Sequence, residues 1–373
     1  MNIKRQDMLV ALNAIKPFFE KTKLMDCVTE IAFEPLSASE VRVIYFNGVA
    51  SINIALPVEE PLEFGFTLKF ERFQRLVSAF NSDIKITEVK DENQRLLVKS
   101  GGSRYKMSYS DIDEYPDVLQ ANEFIERLKA SKQGFGMKIK KDLLKAAHMH
   151  VEPAIDKNYY KEHFRSFFID FESMVVFGTD TKVLNVYSLP IEGQPGGRWL
   201  ALPCKLMDAA IQLPDEKVMI AFDESTVVIA GNRIQYVYPK FFQDDKEEIP
   251  DYRIPLERTQ KEEKPKATLN PKTLKDRLGR IEIITEEDYP FVTLKQEKNT
   301  LEVLYDGESN SCVETMPIEG NILQNQKYSI EYLKRGVDSF TAEKVNFEEG
   351  SQRTLISSDD ENCDGVIARI KLD

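Results

Sequence analysis

The stretch FTLKFERFQRLVSAF, residues 66–80, joins a short extended run to an amphipathic helix. Two later stretches have the same order: WLALPCKLMDAAIQL, residues 199–213, and YSIEYLKRGVDSF, residues 328–340. Their starts are 133 and 129 residues apart. A second helical segment precedes each of the three: QDMLVALNAIK from Gln6, KKDLLKAAHMH from Lys140 and NPKTLKDRLGRIEII from Asn270. In the last of these, Asn270 has the chemistry of an N-cap and Pro271 that of a first helical residue. A pattern recurring at this interval marks a repeated structural unit.

Between and after the helices the period changes to two, as in TEIAFEPLSASEVRVIYFNGVASINIALPV, residues 29–58, and RLLVKSGGSRYKMSYS, residues 95–110. Such alternation reads as antiparallel sheet. Gly101-Gly102 sits where a tight hairpin turn needs residues that tolerate positive φ. Each unit of about 125 residues thus reads helix, strands, helix, strands, an α+β module of ordinary domain size. Three such domains are expected, over residues 1–122, 123–258 and 265–373. The segments at 120–136 and 257–267 are polar enough to be linkers, although FIERL inside the first has the pattern of a short helix. The charge run from Lys261 to Lys266 has mixed signs and reads as solvated linker.

The chain has 373 residues, 42% of them hydrophobic, and a net charge of −12. Cys27, Cys204, Cys312 and Cys363 are far apart and form no C-x-x-C pair, so neither a zinc knuckle nor a disulfide framework is indicated. Neither a secretory leader nor a run of membrane-span length is visible, and a soluble, cytoplasmic protein is expected. The acidic total hides an asymmetry. The windows 5–16, 69–79, 140–150, 203–213, 271–281 and 331–341 carry +1, +2, +2, 0, +3 and 0, together +8, which leaves −20 on the rest. Helix propensity favours Glu as much as Lys or Arg, so it does not account for the bias. Six helices facing one way would form a basic face able to track a phosphate backbone without reading sequence.

Four stretches, in order, resemble the bacterial sliding-clamp family, the beta subunit of DNA polymerase III. RLLVKSGGSRYKMSYSDIDEYPDV, residues 95–118, resembles the end of that clamp's first domain, where a basic hairpin precedes an acidic stretch and an aromatic-Pro dipeptide. FGTDTKVLNVYSLPIE, residues 177–192, is similar to a strand pair around a Thr-Asp-Gly-His-Arg-Leu motif, with Gly178 to Thr181 reading as turn-forming residues. IPDYRIPL, residues 249–256, resembles a Phe-Pro-Asp-Tyr segment, and VIARIKLD, residues 366–373, an apolar, Met-Pro-rich C-terminus. The resemblance spans all three repeats. It implies an α+β fold of three similar clamp domains, each with two helices packed on antiparallel sheets, and a head-to-tail homodimer closing into a six-domain ring. It further implies a non-catalytic processivity factor without cofactor or metal, which encircles double-stranded DNA non-specifically. DNA polymerase and the clamp loader would bind it through short linear motifs.

Carried onto this chain, the family's partner-peptide pocket falls on Thr179, Thr181, Lys182, Val183, Leu184, Pro250, Arg253, Ile254, Tyr332, Ile367, Ala368, Ile370 and Leu372, with Phe164 beside them; Leu184 alone fits core packing better. DNA-facing positions would be Lys21, Lys23, Lys69, Arg72, Arg75, Lys140, Lys141, Lys145, Lys157, Tyr159, Tyr160, Lys272, Lys275, Arg277 and Arg280, with Lys334 and Arg335 weaker. The dimer contact would use Tyr105, Met107, Ile283 and Ile284, the two isoleucines fitting ordinary core equally. The sequence departs from the family at the pocket. Thr181-Lys182-Val183 stands where the family has Gly-His-Arg, and Ala368-Arg369-Ile370-Lys371 replaces Met-Pro-Met-Arg, with Asp373 added. Fewer flexible Met side chains make a pocket less adaptable, so an altered peptide preference is expected.

Two other classes remain open. A clamp-like scaffold could recruit partners without serving a polymerase. His148 and His150, with His163, could hold zinc, but only on an extended segment, because residues two apart on a helix point about 200° from each other. No H-E-x-x-H, P-loop or G-x-S-x-G motif occurs, and Asp180 has no evident catalytic partner.

Overall fold

The computed structural model describes residues 1–21, 26–89, 94–118, 121–130, 134–193, 198–240, 249–261, 264–359 and 361–370. Lys23, Leu372 and the side chain of His163 lie outside the described residues.

Its helices are α1 (Arg5–Ile15), α2 (Phe70–Ala79), α3 (Ala121–Ala130), α4 (Lys141–Val151), α5 (Cys204–Gln212), α6 (Arg253–Lys261), α7 (Pro271–Glu282) and α8 (Ile330–Asp338). Six of these, all but α3 and α6, fall on the six expected segments. The reason is local. In α2 the residues buried are Phe70, Phe73 and Val77, and in α8 Ile330, Leu333 and Val337, so one apolar stripe meets the core. Asn270 caps α7, its Oδ1 accepting the Thr273 N–H at 2.8 Å, and Pro271 follows it.

A strand, a helix, three strands, a strand running into a second helix and three more strands occur in that order three times. The order begins at Asn2–Ile3, at Phe135–Lys140 and at Lys266–Leu269. Gly101 turns the expected hairpin between Arg95–Ser100 and Ser103–Ser108 with φ +57.

The chain forms two compact units, Met1–Lys141 with Asp208–Asp244, and Asp142–Met207 with Asp245–Asp373. Each contains, among the described residues, one four-stranded and one nine-stranded sheet, and the strand pairings are antiparallel. In the first unit Ile234–Pro239 pairs with Ser51–Pro57, so strands from the second sequence repeat extend a sheet begun by the first. In the second unit Val183–Ser188 pairs in the same way with Cys363–Ala368. The middle of the chain is thereby shared between the two units. Aromatic residues fill each core: Phe33 lies 4.9 Å from Phe66 in the first, and Phe168 lies 5.0 Å from Phe177 in the second. Each such buried side chain contributes about 2 kcal/mol.

Both polar segments read as linkers carry secondary structure among the described residues. In α3 Phe124 is fully buried against Ala221, Val228, Ala230 and Val237, with Leu128 beside it. The segment 257–267 enters α6, which buries Leu256 and Thr259, and then the strand Lys266–Leu269. Lys264 and Lys266 both reach Glu348, at 3.3 and 3.5 Å. The short helix expected at FIERL is thus present as α3, whereas in α6 polar composition hid the buried Leu256, which helps dock that helix. Among the described residues no helix is long and apolar enough to cross a membrane.

Candidate functional site

The second unit contains a groove built around the stretch 177–184. Val175–Thr179 and Val183–Ser188 are paired strands, and Asp180 closes the turn between them. Its Oδ1 accepts the N–H groups of Lys182 and Val183 at 2.9 and 2.8 Å, while its Oδ2 accepts Nη1 of Arg335 at 2.6 Å. Arg335 also donates from Nε to the Pro153 carbonyl at 2.7 Å. Asp180 is therefore a turn and ion-pair residue. Thr181 sits at φ +78, a conformation costly for a β-branched residue. Gly178, expected in the turn, instead lies in the strand opposite Asn185. A Cβ there would come within 2.7 Å of Ile155 Cγ1, so the glycine is required by close packing.

Beyond the turn, Ala368 donates its N–H to the Lys182 carbonyl at 2.8 Å and stands opposite Arg353 on the next strand. The segment around residues 250–255 forms the other wall. Tyr252 is buried, with its ring 4.8 Å from Phe177 and 5.7 Å from Trp199. Arg253 donates from Nη2 to Asp170 Oδ2 at 2.6 Å, which fixes the start of α6. Asp251 accepts the Arg253 N–H at 3.0 Å and so faces a helix N-terminus. Burial, with the nearby Asp170 carboxylate, raises the Tyr252 phenol above its ordinary pKa. Burial, then Asp180, does the same to Tyr332. Both stay neutral hydrogen-bonding groups at neutral pH.

Between these walls is a cavity of about 250 Å³. It is lined by eight of the residues assigned to the pocket from sequence, Phe164, Thr179, Thr181, Lys182, Val183, Leu184, Pro250 and Ala368. The lining also includes Phe177, Asp251, Tyr252, Pro255, Arg353 and Val366. Ile367 does not reach it. Strand alternation sends Val366 and Ala368 to the groove and Ile367 to the opposite face, where it meets α8 at Gly336. Arg253 is committed to Asp170, Ile254 is 49% exposed on α6, Tyr332 lies on α8, and Ile370 is tied by its N–H to the Lys327 carbonyl. Strand alternation in 363–368 would have found Val366. Nothing local points to Arg353, which comes to the groove only through strand pairing.

The basic candidates separate into two groups. Lys21 and Arg75 both reach Glu71, at 3.0 and 2.7 Å; Lys69 pairs with Glu30 at 2.9 Å and Lys157 with Glu152 at 2.6 Å. Lys275 pairs with Asp338, while Arg277 and Arg280 approach Glu314 at 3.2 and 3.8 Å. Lys141 donates to the Leu213 carbonyl at 2.8 Å, at the end of α5, and Arg335 is held by Asp180. Lys334 pairs with Glu282. Among the described residues Arg72, Lys140, Lys145 and Lys272 are exposed without an ion pair. Tyr160 is 76% exposed beside Tyr159.

Tyr105 and Met107 lie on Ser103–Ser108, the terminal strand of the first unit's four-stranded sheet, with Tyr105 44% exposed. Ile283, 82% exposed, and the half-buried Ile284 follow α7, which packs on Ser311–Pro317, the terminal strand of the second unit's four-stranded sheet. His148 and His150 lie on α4, and their rings stack on different partners, Phe167 and Tyr187. No group of three His, Cys, Asp or Glu among the described residues is placed to hold a metal ion.

No family model and no curated protein matches the sequence. Solved structures do match. The DNA polymerase III beta subunit of Pseudomonas aeruginosa superposes with a TM-score of 0.83 at 15% identity, over 100% of this chain and 99% of that one. The beta subunit of the Streptococcus pyogenes polymerase gives 0.83 at 17% identity, and that of Thermotoga maritima 0.82 at 14%, each over 100% of this chain and 99% of its own. At such identity the likeness establishes the fold, and the chain has the full-length fold of the DNA polymerase III beta-subunit sliding clamps.

Proposed function

We propose that the protein is a divergent member of that family and works as a sliding clamp, a non-catalytic factor that encircles duplex DNA and tethers DNA enzymes to it. The observation that carries this reading is the threefold order of elements along the whole chain, matched end to end by the solved clamps. Three domains per chain, over 1–122, 123–258 and 265–373, joined head to tail in a homodimer, would make a ring of six. Two open sheet edges support the closure. Ser103–Ser108 and Ser311–Pro317 each end a four-stranded sheet, and exposed Tyr105, Ile283 and Val313 accompany them. An open edge with apolar side chains calls for a partner strand, and head-to-tail pairing of two copies covers both.

The groove suits a short linear peptide. Its apolar walls take one or two large side chains, and a few polar groups set orientation. A polymerase or a clamp loader would dock there. DNA itself would be held by topology, since among the described residues only four of the basic candidates are exposed without an ion pair, and the net charge is −12.

The test is mass in solution followed by loading onto nicked circular plasmid. A dimer retained on the circle and released when the plasmid is linearised is the expected result. A monomer, or equal retention on both forms, would sink the clamp reading. Loss of binding to every peptide of the cognate polymerase, with retention on the circle intact, would remove the polymerase from its partners and leave the ring.

A further inference from the structure

Lys182, Ala368 and Arg353 stand side by side at one end of the nine-stranded sheet of the second unit. The Ala368 N–H binds the Lys182 carbonyl, and Ala368 is the register partner of Arg353. The two cations thus flank Ala368 across two strand spacings, roughly 10 Å. Both line the apolar groove, and neither has an ion pair among the described residues. Arg353 is half-buried, so its charge is partly withdrawn from water without compensation. Among the described lining residues the one acid, Asp251, is occupied by the N-terminus of α6. The groove therefore presents an apolar floor ending in a pair of unanswered positive charges.

Resting on the reading of this groove as a peptide site, we infer that Lys182 and Arg353 select partner peptides in which an Asp or Glu side chain lies next to the apolar anchor. The carboxylate would bridge the two cations over Ala368 while the anchor fills the space among Phe177, Val183 and Val366. A peptide C-terminus is the less suitable source of that carboxylate, because terminal carboxylates are captured by clustered backbone N–H groups. Here those groups are spent: Ala368 donates to Lys182 and Arg369 to the Gln352 carbonyl at 3.1 Å.

The experiment uses the full chain and an array of capped hexapeptides, in which a central pair of large apolar residues is combined with Asp, Asn or Ser at the other positions. The strongest Asp peptide and its Asn counterpart are then compared by fluorescence anisotropy. Wild type is expected to prefer Asp by about fivefold to tenfold at low salt, with the preference shrinking as salt rises. In Lys182→Ala, Arg353→Ala and the double variant the ratio should fall towards one. Arg353→Gln, which keeps the aliphatic stem, should lose it equally, so that a folding defect in the alanine variant does not decide the outcome. Peptides that bind with no Asp preference would overturn acidic selection and leave the peptide groove standing. A preference that survives the double variant would overturn the role of the two cations. Tighter binding of uncapped peptides ending at the anchor would overturn the side-chain source. If no peptide in the array binds, the peptide-groove reading falls and this inference with it.

Discussion

Thr181 shows how one position combines strain with placement. Its φ of +78 suits glycine, which is the residue that the resemblance places there, and its hydroxyl-bearing side chain is exposed on the groove rim. Relief of the left-handed conformation is worth about 1–2 kcal/mol, and the added freedom of an unfolded glycine returns roughly half of that. Thr181→Gly is thus expected to raise the unfolding free energy by about 0.5–1 kcal/mol in urea denaturation; a loss would mean that the threonine side chain packs favourably. Its neighbour Asp180 holds two turn N–H groups and Arg335 at once, with side chains only 6% and 17% exposed. Asp180→Ala leaves that largely buried guanidinium with only the exposed Glu331 carboxylate, at 3.2 Å, as its ion-pair partner, for an expected cost of about 3 kcal/mol, the low end for breaking a buried pair. Adding Arg335→Met should recover part of it, and a double-mutant cycle that shows simple additivity would disprove the coupling. Of these facts, the turn was legible in the polar run through Thr181, although Gly178 and Thr179 belong to the strand before it, but the ion pair was not. Arg335 reads from sequence as one more basic residue on a helix.

Among the elements, the six helices were legible because each carries its own apolar stripe and because the pattern occurs three times. Of the other two, α3 was legible only as a short helix at FIERL inside a polar segment and α6 was not legible, since both are mostly polar and owe their order to Phe124 and Leu256 meeting sheets contributed by distant residues. The strand Cys363–Ala368 shows the converse case. Its alternation alone separates the groove-facing Val366 and Ala368 from Ile367, and treating the segment as a continuous wall missed this. The same strand carries Asp364, whose carboxyl is raised above its ordinary value of 3.8 by burial and, second, by Glu348. The folded chain then keeps this proton longer than the unfolded chain as pH rises. The contribution of Asp364 to stability is full below the unfolded value and is lost as pH climbs through the folded one. Asp364→Asn should therefore gain in Tm relative to wild type as pH rises above the ordinary value of 3.8. Parallel Tm profiles for the two proteins would show that Asp364 carries no such burden.

For the assembled protein, charge decides more than count. The six helical windows carry +8, yet seven of their fifteen cations already have carboxylate partners, and of the positions carried over as DNA-facing, Arg72, Lys140, Lys145 and Lys272 are the four left exposed without an ion pair among the described residues. Direct affinity for linear duplex should be weak and steeply salt-dependent. Replacing these four by alanine should flatten the dependence of log K on log salt by about 0.9 for each phosphate contact removed. On the proposed clamp reading, retention on closed circles should persist at salt concentrations that abolish binding to linear DNA, because a ring would be held by linkage. An unchanged salt slope in the quadruple variant would move the DNA contact to other residues.

Local periodicity was sufficient for the repeat, the six principal helices, the hairpin at Gly101 and the cap at Asn270, because each depends on neighbours within a turn or a few residues. The resemblance to clamps rested on four short stretches as well, of which only the hairpin at Gly101 is shared with these features. The tertiary structure alone decided which strands of the middle repeat join which sheet, why Gly178 must be glycine, and which carboxylate quiets each basic side chain. It also brought Arg353 beside Lys182, on strands far apart in the chain. Strand pairing and ion pairing between distant residues follow from how apolar faces stack in space, and residue order encodes that geometry only through the whole fold.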